Sequence, residues 1–215
     1  MNLEELAEKQ IRIGEMVKIE DPERIDYIAG VDQSFFKKDE KEYIISVSVL
    51  FEFPDLRLID DHHVVERVDF PYIPTFLMFR ESDAGIKAIE RILRDNTVAM
   101  VDGSGLAHPR KCGLATYIGV VMGIPSIGVT KRKLFGEVKG EGELKEIFAH
   151  GMKIGYEIKT CRKCKPIYIS VGNMITPEKA LYIVRKTLRG HKLPEPIRIA
   201  DKKAKELRLK YLSNL

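Results

Sequence analysis

The chain reads as an α/β protein: a mixed sheet of three antiparallel strands followed by parallel strands, flanked by helices. Two observations carry this reading. Residues 27–68 hold three strand-like runs, whereas residues 83–211 alternate helical spacing with short apolar strands. Its 215 residues suffice for one sizeable core, and no repeat or low-complexity linker divides them, so a single domain spanning 1–215 is expected.

Taken in order, Leu3, Leu6, Ile11, Ile13 and Met16 suggest an amphipathic helix that the Asp21-Pro22 step ends. Strand candidates follow at Tyr27 to Val31, Tyr43 to Phe51 and Leu56 to Val68. In the second, Ile45, Val47 and Val49 alternate with Ser46 and Ser48, and Asp55 marks the turn to the third, so an antiparallel meander is expected. Pro71-Tyr72-Ile73-Pro74 then breaks the pattern. Behind Asp83 as N-cap, Ile86, Ile89 and Leu93 recur at helical spacing, giving a helix that ends near Asp95-Asn96. Val98-Ala99-Met100-Val101 is a buried strand ending at Asp102, followed by a helix from about Cys112 to Met122 and a short strand from Ser126 to Val129. Ile154 to Ile158 and Ile167 to Ser170 are strand-like. Thr176-Pro177-Glu178 is an N-cap with proline at the first helical position, opening a helix to about Leu188. Ala200, Ala204, Leu207 and Tyr211 stripe the last helix.

The charge balance, 36 Lys+Arg against 32 Asp+Glu, is too even to announce a nucleic-acid binder. Its distribution says more. From Arg185 to Lys210 there are ten Lys/Arg against three acids, a basic C-terminal surface. No run approaches the length of a membrane span, and Met1-Asn2-Leu3-Glu4-Glu5 lacks the layout of a signal peptide, so a cytoplasmic monomer without a membrane partner is expected. Cys161-Arg-Lys-Cys164 has zinc-knuckle spacing but no second pair to complete four ligands. Lying between two strand-like runs, it reads instead as the turn of a hairpin, with thiols either free or oxidised.

The chemistry concentrates in acids placed where apolar strands run out. Asp32 follows Ile28-Ala29-Gly30-Val31, and Asp102 follows Val98-Ala99-Met100-Val101. Two such strands side by side would bring both carboxylates to one point, where mutual repulsion favours a hard divalent cation, Mg²⁺ or Mn²⁺. Asp102 also opens Gly103-Ser104-Gly105-Leu106-Ala107-His108-Pro109-Arg110-Lys111, whose glycines and cations suit a phosphate. Taken singly, Glu81 reads as a surface glutamate, Asp201 as an acid placed for the helix dipole in the first turn of the last helix, and Lys131 as part of a solvated Lys-Arg-Lys triplet.

Five blocks, in order and over nearly the whole chain, resemble endonuclease V: Tyr27-Ile-Ala-Gly-Val-Asp32-Gln-Ser-Phe35, Pro71-Tyr-Ile-Pro74 with Phe79-Arg-Glu81, Asp102-Gly-Ser-Gly-Leu-Ala-His-Pro-Arg110, Ile124-Pro-Ser-Ile-Gly-Val-Thr-Lys131 and Leu193-Pro-Glu-Pro-Ile-Arg198. The resemblance implies a ribonuclease H-like fold and a Mg²⁺-dependent DNA repair nuclease. Such an enzyme recognises deoxyinosine and hydrolyses the second phosphodiester bond on its 3′ side, leaving 3′-hydroxyl and 5′-phosphate ends. It also implies roles. Asp32 and Asp102 would be metal ligands, with Glu81, Lys131 and Asp201 completing the catalytic cluster. Tyr72, Ile73 and Pro74 would form a wedge filling the gap left by a flipped base. Gly103, Gly113 and Leu114 would border the base pocket, and His108, Arg110 and Lys111 would contact phosphate. Inosine-containing RNA is a second candidate substrate for the same groove, and a non-catalytic nucleic-acid-binding module is a third reading. The chain departs from the family pattern at Ser170-Val171-Gly172-Asn173, where a histidine often stands in place of Asn173, and at Ser104, where a larger polar residue is usual.

Overall fold

The computed structural model describes residues 2–213, arranged as one nine-stranded sheet with helices on both faces. Helix α1 (Leu3–Glu15) precedes strands β1 (Tyr27–Lys38), β2 (Lys41–Glu52) and β3 (Leu58–Arg67). Then come α2 (Met78–Glu90), β4 (Thr97–Asp102), α3 (Leu114–Met122) and β5 (Ser126–Thr130). Strands β6 (Glu137–Lys139), β7 (Leu144–Ala149), β8 (Met152–Ile158) and β9 (Ile167–Asn173) follow, and α4 (Pro177–Thr187) and α5 (Glu195–Ser213) end the described chain. The spatial order is β3-β2-β1-β4-β5-β9-β8-β7-β6.

The expected meander is present, with β1, β2 and β3 antiparallel, and β1, β4 and β5 are parallel. Beyond β5 the sheet turns antiparallel again, β9 pairing with β5 and β8, β7 and β6 extending that edge. Strands β6 and β7 are not evident in the sequence. They are short, and each alternates too weakly to stand out from turn.

Three further expectations are corrected. The buried face of α1 holds Gln10 and Gly14, with Leu6, Ala7 and Ile13 partly covered, whereas Leu3, Ile11 and Met16 are exposed. The polar Gln10 hides this face from an apolar-stripe reading. Asp83 does not cap α2, which opens five residues earlier at Met78 with no side-chain cap. Turns at Phe79 N–H to Phe76 carbonyl (3.1 Å) and Arg80 N–H to Leu77 carbonyl (3.0 Å) lead into it, and Met78, Glu81, Ser82, Gly85 and Ile89 bury its inner face. Finally, α5 begins at Glu195, so Asp201 stands in its second turn.

Apolar side chains fill both faces. Ile28, Val98, Met100, Ile127 and Val129 pack with Ile183, Val184 and Ile197 of α4 and α5, while Val31, Ala99 and Val101 pack with Met78, Ile89, Leu114 and Ile118 of α2 and α3. Cys161 and Cys164 are joined by a disulfide in the β8–β9 connection, with Cα atoms 5.2 Å apart, which fits the hairpin reading and excludes the zinc one.

Candidate active site

Register explains the carboxylates. Strand β1 runs on past Asp32 to Lys38, so this acid does not end a strand as expected. What ends there is the pairing with β4, whose last partners are Val31 and Val101. Asp32 and Asp102 are therefore the next residues abreast. Alternation along the strands gives them the face of Ile28 and Met100, the face on which α5 lies. Gly30 permits this arrangement, since a Cβ there would lie 2.3 Å from the Pro196 carbonyl carbon and oxygen. The opening of α5 thus presses on β1 and delivers Asp201 to the same point.

Asp32 is 7% exposed, and its Oδ1 accepts from the Gln33 N–H at 2.8 Å. Burial, and after it the charge of Asp102, raises its carboxyl well above the ordinary range. Glu81, in the first turn of α2 and also 7% exposed, is pushed up to about 8, chiefly by burial, with Arg80 opposing and Asp102 adding. The Arg80 guanidinium opposes this through its charge alone, since its hydrogen bonds go elsewhere, to the Phe70 carbonyl at 2.6 Å and to Glu42 at 2.7 Å. Lys131, just past β5, places Nζ 2.7 Å from Asp102 Oδ2 and 3.6 Å from Asp201 Oδ1. Burial alone would lower its ammonium, but Asp102, Asp32 and Asp201 outweigh that and raise it. Asp201 also accepts from Lys205 at 2.6 Å; burial opposes, yet Lys205 and Asp32 together hold its carboxyl low. Asp32, Asp102 and Asp201 thus lie around Lys131 at one end of the parallel strands, with Glu81 near enough to feel the charge of Asp102 and Lys205 pairing with Asp201 from outside.

The donor set suits a hard cation. All its members are carboxylate oxygens, two of them crowded and buried, with an ammonium ion already balancing their charge. Among the described residues no three His, Cys, Asp or Glu side chains close into a cage.

A cavity of about 110 Å³ adjoins the segment that follows Asp102, lined by Tyr72, Ile73 and Pro74 from the loop before α2, by Ser104, Gly113 and Leu114, and by Gln10 and His108. Tyr72, one of these lining residues, is 70% exposed. A Cβ on Gly113 would lie 2.1 Å from the Ser104 carbonyl oxygen and 2.3 Å from its hydroxyl, so the small pair lets two backbones touch at the cavity wall. Gly103 is buried against Leu114.

The expected phosphate contacts are placed differently. His108 is 2% exposed, and its Nε2 is bonded to the Thr75 carbonyl at 2.9 Å. Burial lowers its imidazole to about 4, with the Thr75 bond opposing and Arg110 and His150 adding, so it is neutral and turned inward. Arg110 donates to Gln10 Oε1 at 2.6 Å and to Thr75 Oγ1 at 2.6 Å, and it stacks on Phe76 at 4.4 Å. Lys111 is partly buried at a φ of 57°, its backbone close to Gly14 of α1. His108 and Arg110 therefore hold the Thr75 end of the Tyr72 loop. Gln10 does the same, its Nε2 donating to the Thr75 carbonyl at 2.9 Å, and nothing in the sequence pattern marks it. Asn173 is remote from the carboxylates. Paired with Ser126 at the opposite end of β5, it donates to the Gly119 carbonyl at 3.0 Å and accepts from the Lys18 N–H at 3.1 Å, a structural tie.

Residues 8–202 match the family model described as endonuclease V. The chain belongs to the endonuclease V family. An endonuclease V from Archaeoglobus fulgidus is 48% identical over 97% of this chain and 94% of its own length. The endonuclease V structure from Bacillus subtilis superposes with a TM-score of 0.92 at 25% identity, covering 100% of this chain and 95% of that one. Endonuclease V from Ciona intestinalis, crystallised with a 24mer DNA containing an inosine followed by a ribo-adenosine, gives 0.84 at 22% identity, covering 97% and 98%. The mixed sheet with its flanking helices is thus the ribonuclease H-like fold of endonuclease V.

Proposed function

We propose that this member of the family is a Mg²⁺-dependent DNA repair endonuclease that recognises deoxyinosine and hydrolyses the second phosphodiester bond on its 3′ side. The observation that carries the reading is the placement of Asp32 and Asp102 abreast, with Lys131 and Asp201 around them and Glu81 nearby, and a cavity opened by glycine and lined by Tyr72 adjoining the segment that follows Asp102. The inosine-containing DNA bound by the Ciona relative supports the choice of lesion.

Each residue has a task. Tyr72, an exposed residue of the cavity lining, fills the stack when the damaged base leaves it, offsetting a cost of a few kcal/mol. Gly113 and Ser104 leave room for that base against main chain. Asp32 and Asp102 would hold the divalent cation, with Glu81 and Asp201 bordering it; when bound, the ion supplies Lewis acidity toward the scissile phosphate. Lys131 carries positive charge to the same place and balances the extra negative charge as water attacks in line. The products are a 3′-hydroxyl and a 5′-phosphate.

The test uses labelled duplex DNA and matching RNA, each with one inosine, incubated with and without Mg²⁺, and maps the cut to the nucleotide. A single Mg²⁺-dependent nick two bonds 3′ of the lesion in DNA is expected. Cutting confined to RNA, or at a different bond, would refute the reading. Asp32→Asn and Asp102→Asn should each abolish cleavage while sparing lesion binding, and cleavage near the wild-type rate would remove these two residues from the site.

A further inference from the structure

The hairpin between β8 and β9 is not used by the site described above, yet it rises from the same end of the sheet. Tyr168 of β9 pairs with Thr130 of β5, the residue before Lys131, and Ile167 pairs with Ile158. Residues 159–166 therefore project at the level of Lys131. They lie two strands from Asp102, about 10 Å at roughly 4.8 Å per strand. The short loop is closed by the Cys161–Cys164 disulfide and exposes Arg162, Lys163 and Lys165.

Neighbouring lysines are engaged: Lys145 pairs with Glu157 at 3.2 Å and Lys159 with Glu143 at 3.7 Å. Arg162, Lys163 and Lys165, by contrast, join no ion pair among the described residues. The patch extends further. Thr160 donates to the Lys192 carbonyl at 2.7 Å, tying the α4–α5 connection to the hairpin, and exposed Arg132 follows Thr130 out of the adjacent strand. Exposed cations outside any ion pair repel one another, and a polyanion removes that repulsion. Because the cross-link narrows the loop's range of conformations, less ordering is needed when such a partner binds.

We propose that this disulfide-closed basic hairpin, with Lys192 and Arg132, is a phosphate-binding ridge for the duplex DNA 3′ of the cut. The direction rests on the function proposed above. The cavity is lined from α1, the loop before α2 and the start of α3, whereas the hairpin rises beside Lys131 and is tied to the α4–α5 connection at Lys192, so the path we assign to the strand runs from cavity to carboxylates to ridge. That order is 5′ to 3′ if the lesion occupies the cavity and the cut follows it.

The test compares wild type with the triple variant Arg162→Gln, Lys163→Gln, Lys165→Gln. A charge-matched control changes Arg24, Arg57 and Arg94 to Gln at the opposite end of the sheet. Binding to a long duplex is titrated with salt in EDTA, and cleavage is followed with Mg²⁺. The slope of log affinity against log salt should flatten by about two to three in the triple variant, near one unit for each phosphate no longer neutralised. KM should rise with kcat unchanged, and the difference from wild type should vanish when the duplex 3′ of the cut is trimmed away. The control should keep the wild-type slope. A triple variant with the wild-type slope overturns the proposal, as does a flattening seen on RNA alone or abolished only by trimming the 5′ flank. Binding to lesion-free duplex is read in parallel. If wild type fails to cut inosine-containing DNA while the lesion-free slope still flattens, the failure belongs to the substrate reading and the ridge stands.

Discussion

Replacing His108 by Gln separates a phosphate contact from an inward brace, because the two roles respond oppositely to pH and salt. In the folded chain the imidazole is lowered to about 4, mainly by burial; in the unfolded chain it returns to about 6.5. A folded pKa below the unfolded one means that the unfolded state binds more protons between these values, so stability falls as pH is lowered through that window. The contribution is fully present above about 6.5 and exhausted near 4. The whole shift, about 2.5 units at 1.36 kcal/mol each, amounts to roughly 3 kcal/mol, of which about 2 kcal/mol disappears between pH 7.5 and pH 5. Asp32 and Glu81 act in the opposite sense, since their raised carboxyls are less unfavourable as pH falls. The wild-type curve alone therefore mixes both effects, and the difference between wild type and His108→Gln isolates the histidine. Urea unfolding in EDTA at the two pH values measures it: the variant should lose about 2 kcal/mol less than wild type on acidification. At pH 7.5 its salt slope for DNA binding should match wild type, because a neutral, buried ring releases no counterion. Equal pH dependence in the two proteins, together with a flattened salt slope, would refute the brace and return His108 to the phosphate.

Three other substitutions probe the site from different sides. Gly30→Ala drives a methyl group to 2.3 Å from the Pro196 backbone, so unfolding free energy should fall by about 1–3 kcal/mol. Cleavage should fall with it as Asp201 is displaced, and an unchanged melting temperature would mean that α5 does not press on β1. Glu81→Gln imitates the protonated carboxyl that burial maintains near pH 7, so thermal stability should hold while Mg²⁺-dependent cleavage drops; wild-type turnover would remove Glu81 from the catalytic cluster. Tyr72→Ala should cut discrimination between inosine and normal bases by about fivefold to a hundredfold, the worth of ~1–3 kcal/mol of base stacking. It should leave stability unaltered, and an undiminished preference in competition assays would end the wedge assignment.

What the sequence makes legible is local, and what it conceals depends on register and on polar burial. The serine–aliphatic alternation of residues 45–49 and the run at 98–101 are properties of neighbouring residues, so the meander and β4 can be recognised without tertiary knowledge. Asp32 shows the limit. Its importance is inferred from a strand end that does not exist, yet the inference reaches the right partner because pairing between β1 and β4 stops at Val31 and Val101. A change from paired to unpaired edge inside a continuous strand leaves no mark on the chain itself. Gln10 shows the converse. The apolar stripe Leu3, Leu6, Ile11, Ile13 and Met16 only half names the buried face of α1: Leu6 and Ile13 are partly covered, but the centre of the face is an amide that satisfies the carbonyls of Thr75 and Cys112. The same amide accepts from Arg110, and Thr75 holds a left-handed backbone at a φ of 68°, a conformation costly for a β-branched residue unless its surroundings enforce it. Three side chains converge on the Thr75 carbonyl, from Gln10, His108 and Arg110. The Asp102 segment therefore does two things that its glycines and cations only half disclose. Its first residue reaches the carboxylate cluster, while His108 and Arg110 turn away from solvent and brace the loop that carries Tyr72 through its Thr75 end.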